Sequence, residues 1–162
     1  MPSSSLIVSA KTLQAVVVVI ALAALAFLLV EPHLEGRNAQ ATWTEVYFHD
    51  PFLAYAYVAS TPFFVAIYHA FRVLGFVCLG RVLAPETRNA LRTIKFCAYA
   101  LLAFIASGEL LLLANESDDR VGGVVMGLLF ALIALAIVAT TMLIERMLAN
   151  TGEPRSSAAV NG

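Results

Sequence analysis

The segment Leu13 to Val30 is a run of eighteen residues without a charged side chain. As an α-helix it would be about 27 Å long, close to the ~30 Å hydrocarbon core of a bilayer. Three further apolar stretches follow, at about residues 52–80, 85–114 and 121–148. Because lipid cannot satisfy backbone polar groups, such stretches cross it as helices. The sequence therefore predicts an all-α fold, a four-helix transmembrane bundle.

The composition supports a membrane location and one domain. Apolar residues make up 60% of the 162 residues, and the mean hydropathy is +0.85. Soluble domains are about 45–50% apolar, and a short chain cannot bury such an excess in its own core. The net charge of −1 argues against nucleic acid as a partner. We expect a membrane domain over residues 1–150, followed by a disordered cytoplasmic tail over residues 151–162.

The first apolar stretch could also be a secretory signal peptide. Signal peptides have apolar regions of about 7–15 residues, followed closely by a small-x-small cleavage site. Here the apolar run is longer, and Ala39-Gln40-Ala41 lies well beyond its end. The pattern therefore favours an uncleaved helix.

Charge predicts the orientation of the helices. The connection at 31–50 has four acids and one base, whereas residues 72–95 have five bases and one acid. Lys and Arg concentrate in the cytoplasmic loops of membrane proteins. With both termini on the cytoplasmic side, eight of the ten bases lie inside the cell.

Three segments resemble the DUF2975 family of small bacterial integral membrane proteins: PFFVAIYHAFRVL from Pro62, NALRTIKFCA from Asn89, and DDRVG from Asp118. The resemblance covers about the last two thirds of the chain, up to the tail. Ala84 stands where the family usually has a serine-type helix cap, and Glu109 stands where it is usually apolar.

The resemblance implies a multi-pass protein of the bacterial inner membrane and supplies no catalytic residues. Family members are commonly encoded near a small helix-turn-helix regulator, which implies a regulatory role linked to the membrane. We therefore expect a non-enzymatic regulatory or partner-binding membrane protein. The alternative is a small transporter or channel subunit.

Candidate functional residues are polar groups within or beside the apolar stretches. Glu109 lies about 7.5 Å inside the end of its helix, where it could bind a proton or ligand, or simply reach interfacial water and pair with Arg120. His69 and Arg72 share a helix face near the inner boundary. A transport function would require such groups to converge in a cavity.

Arg88, Arg92 and Lys95 follow helical spacing and form what we call the basic stripe. The stripe could bind anionic lipid headgroups, dock a cytoplasmic regulator, or only set the topology. On the fourth helix, Gly123, Gly127 and Ala131 permit close helix packing, either within the chain or by self-association.

The sequence contains no recognised catalytic or phosphate-binding motif, and we expect no enzyme activity and no cofactor. Cys78 and Cys97 are expected to be reduced packing residues. A loose group of acids and histidines could hold an external metal ion, but its spacing fits no metal motif, so a solvated acidic loop is the favoured interpretation and no metal site is predicted: Glu31, His33, Glu35, His49 and Asp50.

Overall fold

The computed structural model describes residues 4–34, 51–114 and 120–152, and these form four α-helices. The helices are α1 (Ser4–Leu34), α2 (Pro51–Cys78), α3 (Pro85–Ala114) and α4 (Arg120–Gly152). Each contains a segment long and apolar enough to cross a membrane: Ile7–Val30, Ala54–Cys78, Pro85–Ala114 and Val121–Thr151. The predicted all-α fold with four spans is confirmed, whereas the cytoplasmic location of both termini stays a prediction.

The outer helices are longer than the sequence predicts. α1 begins at Ser4 instead of Leu13, since residues 4–12 contain neither glycine nor proline and include apolar Ile7 and Val8. α4 continues to Gly152, so Thr151 belongs to the helix although the sequence places it in the tail. The rest of the predicted tail, 153–162, lies outside the described residues.

A glycine cap separates α2 from α3. Gly80 has a φ of 69°, in the left-handed region. The Gly80 N–H donates to the Val77 carbonyl at 3.0 Å and the Arg81 N–H to the Phe76 carbonyl at 2.9 Å. This paired pattern is the Schellman motif, which satisfies the last carbonyls of a helix. α2 therefore ends at Cys78, two residues before the predicted boundary.

Replacing Gly80 with alanine should lower the free energy of unfolding by about 1 kcal/mol. A Cβ atom is disfavoured at positive φ by roughly 1–2 kcal/mol per residue. The measurement is equilibrium unfolding in detergent micelles, with Gly152→Ala, at the last residue of α4, as the matched glycine change. Equal stability of the Gly80→Ala variant and the parent would contradict the role assigned to this cap.

The helices pack mainly in chain order. Within the described ranges, α1 packs against α2, α2 against α3, and α3 against α4. Apart from Ala10 of α1, the buried side chains of the described ranges lie in the first half of α3 and between residues 134 and 148 of α4: Thr87, Ala90, Leu91, Ile94, Ala98, Ala134, Val138, Thr141 and Leu148. The α3–α4 pair is therefore packed most tightly near the start of α3.

The last two helices are longer than a bilayer requires. α3 has 30 residues and α4 has 33, or about 45 and 50 Å against a hydrocarbon core of ~30 Å. Both therefore extend beyond the hydrocarbon. We call the end of the molecule formed by residues 72–95 and 141–152 the basic end, because it holds six basic and two acidic residues.

Candidate functional site

Two members of the basic stripe bind α4 directly. Lys95 forms an ion pair with Glu145, and both side chains are largely covered, with 19% and 26% exposed. About two turns further toward the start of α3, the Arg88 guanidinium donates to the Leu148 carbonyl at 3.5 Å. Lys95 and Arg88 therefore connect the two helices at the basic end.

Arg92, the middle member of the stripe, is exposed. It forms no ion pair with another residue of the described ranges, in contrast to Lys95. The two acids at the basic end are already engaged, Glu145 by Lys95 and Glu86 by Arg81 at 3.3 Å. The basic end therefore presents an excess of positive charge that these acids do not neutralise.

Arg72 and His69 both contact Tyr68 on α2. The Arg72 guanidinium lies 5.9 Å from the centre of the Tyr68 ring and 5.5 Å from that of Phe76. Cation–π contacts of this kind hold an arginine along its own helix. His69 packs edge-on against Tyr68, and its buried Nδ1 has no hydrogen-bond partner in the part of the chain that the structure describes.

A tyrosine joins α2 to α3 in the opposite half of the molecule. The Tyr55 hydroxyl donates to the Phe104 carbonyl and lies 2.7 Å from Ser107 Oγ. The edge of its ring contacts Phe104, and a Cβ at Gly108 would lie 3.4 Å from the ring. The sequence analysis does not single out Tyr55 and so misses this interhelical link.

Glu109 lies against α4, where the glycines leave space. A Cβ built on Gly127 would overlap the Glu109 carboxylate, and one built on Gly123 would overlap the side chain of Leu112. We call the space beside Gly127 the Gly127 notch. Oε2 of Glu109 is buried and has no partner within the described ranges. Both glycines therefore face α3 of the same chain, and Ala131, one turn further on, is half-buried.

The structure does not bring Glu109 and His69 together. Tyr55 of α2 is level with Phe104 and Ser107 of α3, and His69 lies fourteen residues further along α2, about 21 Å along the helix axis. Glu109 follows Ser107 by two residues on α3 and therefore lies near the level of Tyr55. Glu109 and His69 thus lie in opposite halves of the bundle. Arg120, the residue expected to pair with Glu109, has its side chain outside the described ones.

The cysteines and the possible metal ligands form no further functional cluster in the described ranges. Cys78 and Cys97 are free and half-buried. Within 4–34, 51–114 and 120–152, no group of three or more His, Cys, Asp and Glu residues is placed to hold a metal ion. The loose external group lies outside the described residues or, for Glu31 and His33, outside the described side chains.

The short length of the α3–α4 connection could have indicated these contacts from the sequence. Pairs Glu109–Gly127, Leu112–Gly123 and Arg88–Leu148 are all centred on about residue 118, inside the predicted turn. In an antiparallel helical hairpin with a short turn, residues equidistant from the turn lie opposite each other. Applied to the sequence, this rule places Glu109 beside Gly127.

Comparison with known proteins agrees with the architecture. The family model described as protein of unknown function (DUF2975) matches residues 15–153. The uncharacterized membrane protein YoaS of Bacillus subtilis (strain 168) is 30% identical over 95 residues, which cover 58% of this chain and 59% of that relative. The matched part of the chain thus spans less than two thirds of the relative's length. No solved structure matches. Since the family match extends over most of its length, the chain belongs to the DUF2975 family of membrane proteins of unknown function, and it is a multi-pass bacterial membrane protein.

Proposed function

We propose that the protein is a non-enzymatic, partner-binding membrane protein whose basic end docks an acidic surface of a cytoplasmic regulator. The proposal uses the orientation predicted from charge, in which the basic end faces the cytoplasm. Its main support is the difference within the basic stripe: Lys95 and Arg88 contact α4, whereas Arg92 is exposed and forms no ion pair with a described residue.

The basic end is suited to docking because its backbone is held in place. Thr87, at the start of α3, is only 1% exposed, and its hydroxyl donates to the Arg81 carbonyl at 3.0 Å. The Lys95–Glu145 ion pair and the Arg88 hydrogen bond add two links to α4. A preorganised surface loses less conformational entropy on binding than a flexible one.

The matched variants Arg92→Gln and Lys95→Gln test the proposal. Both remove one positive charge from α3 and keep helix propensity. A photo-crosslinker at the exposed position Asn89 would report a neighbouring protein in intact cells. Arg92→Gln should reduce the crosslinked product at least fivefold and leave thermal stability unchanged, whereas Lys95→Gln should lower stability because it leaves Glu145 without its partner.

Arg146→Gln separates protein docking from binding to headgroups. Arg146 is an exposed base on α4 at the same end. Attraction to anionic lipid is worth about 1 kcal/mol per base near the surface, so Arg92 and Arg146 should then contribute alike to retention of anionic lipid in vesicles. Equal loss in both variants with no protein crosslink at Asn89 would contradict a docked regulator and favour a lipid surface.

Orientation is checked in the same cells. Leu83→Cys places a thiol at an exposed position of the α2–α3 connection, where Leu83 is 48% exposed. An impermeant maleimide should label it only after the membrane is opened. Labelling in intact cells would place the basic end outside and remove the cytoplasmic partner from the proposal.

A further inference from the structure

Glu109 is a carboxyl group within a membrane-spanning helix that none of the contacts described above neutralises. Its carboxylate occupies the Gly127 notch, and any residue larger than glycine at position 127 would displace it. Its Oε2 is buried and without a hydrogen-bond partner in residues 4–34, 51–114 and 120–152. Buried polar atoms are nearly always paired, so an orphaned oxygen indicates a ligand or a functional role. We propose that Glu109, seated in the Gly127 notch, is a reversible proton-binding site between α3 and α4.

A proton fits this site better than a metal ion does. Ca²⁺ takes six to eight oxygen ligands and Mg²⁺ close to six, whereas the notch offers one carboxylate between helices whose backbone carbonyls are bonded within the helices. No group of three metal-ligating side chains exists in the described ranges. A proton requires a single carboxylate oxygen, and the protonated acid can donate to a helical carbonyl, which has a second lone pair.

Among the described side chains of the two helices packed against α3, few charged or titratable groups face Glu109. On α4 the facing residues are Gly127 and, one turn away, Gly123. On α2 the nearest titratable group is Tyr55, whose hydroxyl is already bonded to Phe104 and Ser107. The Lys95–Glu145 pair lies fourteen or more residues away along either helix, about 21 Å. None of these described groups neutralises Glu109, so loss of the proton places a charge against α4 that no described side chain compensates.

Site-specific carbodiimide labelling in native membranes tests the proposal. The carboxylic acid gives its proton to one carbodiimide nitrogen while its oxygen bonds to the central carbon, so the reagent adds without a leaving group. Lipid-soluble dicyclohexylcarbodiimide should modify Glu109, identified by peptide mass spectrometry, at least tenfold more than a water-soluble cationic carbodiimide does. Because carbodiimides react with the protonated acid, labelling should decrease as the medium is made more alkaline.

Internal and variant controls make the outcome decisive. Glu86, with 48% of its side chain exposed, should show the opposite reagent preference in the same sample. Gly127→Ala should expel the flexible end of Glu109 from the notch and reduce lipid-soluble labelling at least threefold, and Glu109→Gln should abolish it. Because the parent protein is itself informative, the test does not depend on the folding of a variant. No labelling of Glu109 at any pH, or the reagent preference of Glu86, would overturn the proposal.

Discussion

Replacing Gly127 with leucine is expected to destabilise the protein by on the order of 3 kcal/mol. Even a single Cβ at this position overlaps the Glu109 carboxylate, and a leucine side chain would also crowd the stem of Glu109. Overpacking of this kind costs about 1–3 kcal/mol in a packed interior. In lipid the lost helix–helix contact lowers stability directly, because close van der Waals contact is a main attraction between helices. Equilibrium unfolding in micelles measures the effect.

Gly122→Leu is the matched control for this change. Gly122 lies five residues earlier on the same helix and is exposed. The same side chain added there should leave stability within about 0.5 kcal/mol of the parent. Similar losses in both variants would mean that the leucine acts through the backbone of α4, and the close contact at the notch would not be the cause.

Reversing the charge of Lys95 is expected to give the second large effect. Lys95→Glu removes the ion pair and places two carboxylates together in a site that is mostly covered, with Glu145 only 26% exposed. Breaking a fully buried pair costs about 3–5 kcal/mol, and the partial exposure of this pair reduces the expected loss to about 2–3 kcal/mol.

The swapped double variant Lys95→Glu with Glu145→Lys isolates the pair itself. It restores opposite charges across the helices, so it should recover more than half of the stability lost by either single variant. The coupling energy of this cycle should exceed 1 kcal/mol, since the two residues are in contact. Additive losses in the double variant would contradict the interhelical ion pair and leave Lys95 free to serve as a surface residue.

Helix number and span were predictable because they depend on local properties. Long apolar stretches such as 13–30 and 121–148 are expected to cross lipid as helices, because a helix satisfies its own backbone hydrogen bonds. The start of α3 at Pro85 was also predictable, since proline suits the first turn of a helix. The early start of α1 was missed because Lys11 suggested a polar segment, although a long basic side chain can remain helical and extend toward the headgroups.

Pairings between helices were not predictable in the same way. Lys95 and Glu145 are fifty residues apart, and each alone is an ordinary charge near a helix end. Only the register of the α3–α4 hairpin brings them together. The sequence analysis did not use the short connection between the two helices to work out which of their residues lie opposite each other. Tyr55 was missed for a related reason, because tyrosines near the ends of membrane helices are common at the membrane–water interface and need no interhelical partner there.

The sequential packing of the helices also governs how the chain assembles during synthesis. Since α1 packs on α2, α2 on α3 and α3 on α4, each new helix meets its partner already in the membrane. Local pairing of this kind favours rapid folding, and the N-terminal portion can assemble first. Once α2 has entered, Gln14 can donate to the Phe71 carbonyl and Tyr57 to the Leu28 carbonyl. α3 and then α4 each form one interface when they insert. The main packing partner of every described helix is therefore its neighbour in the chain, not a distant segment.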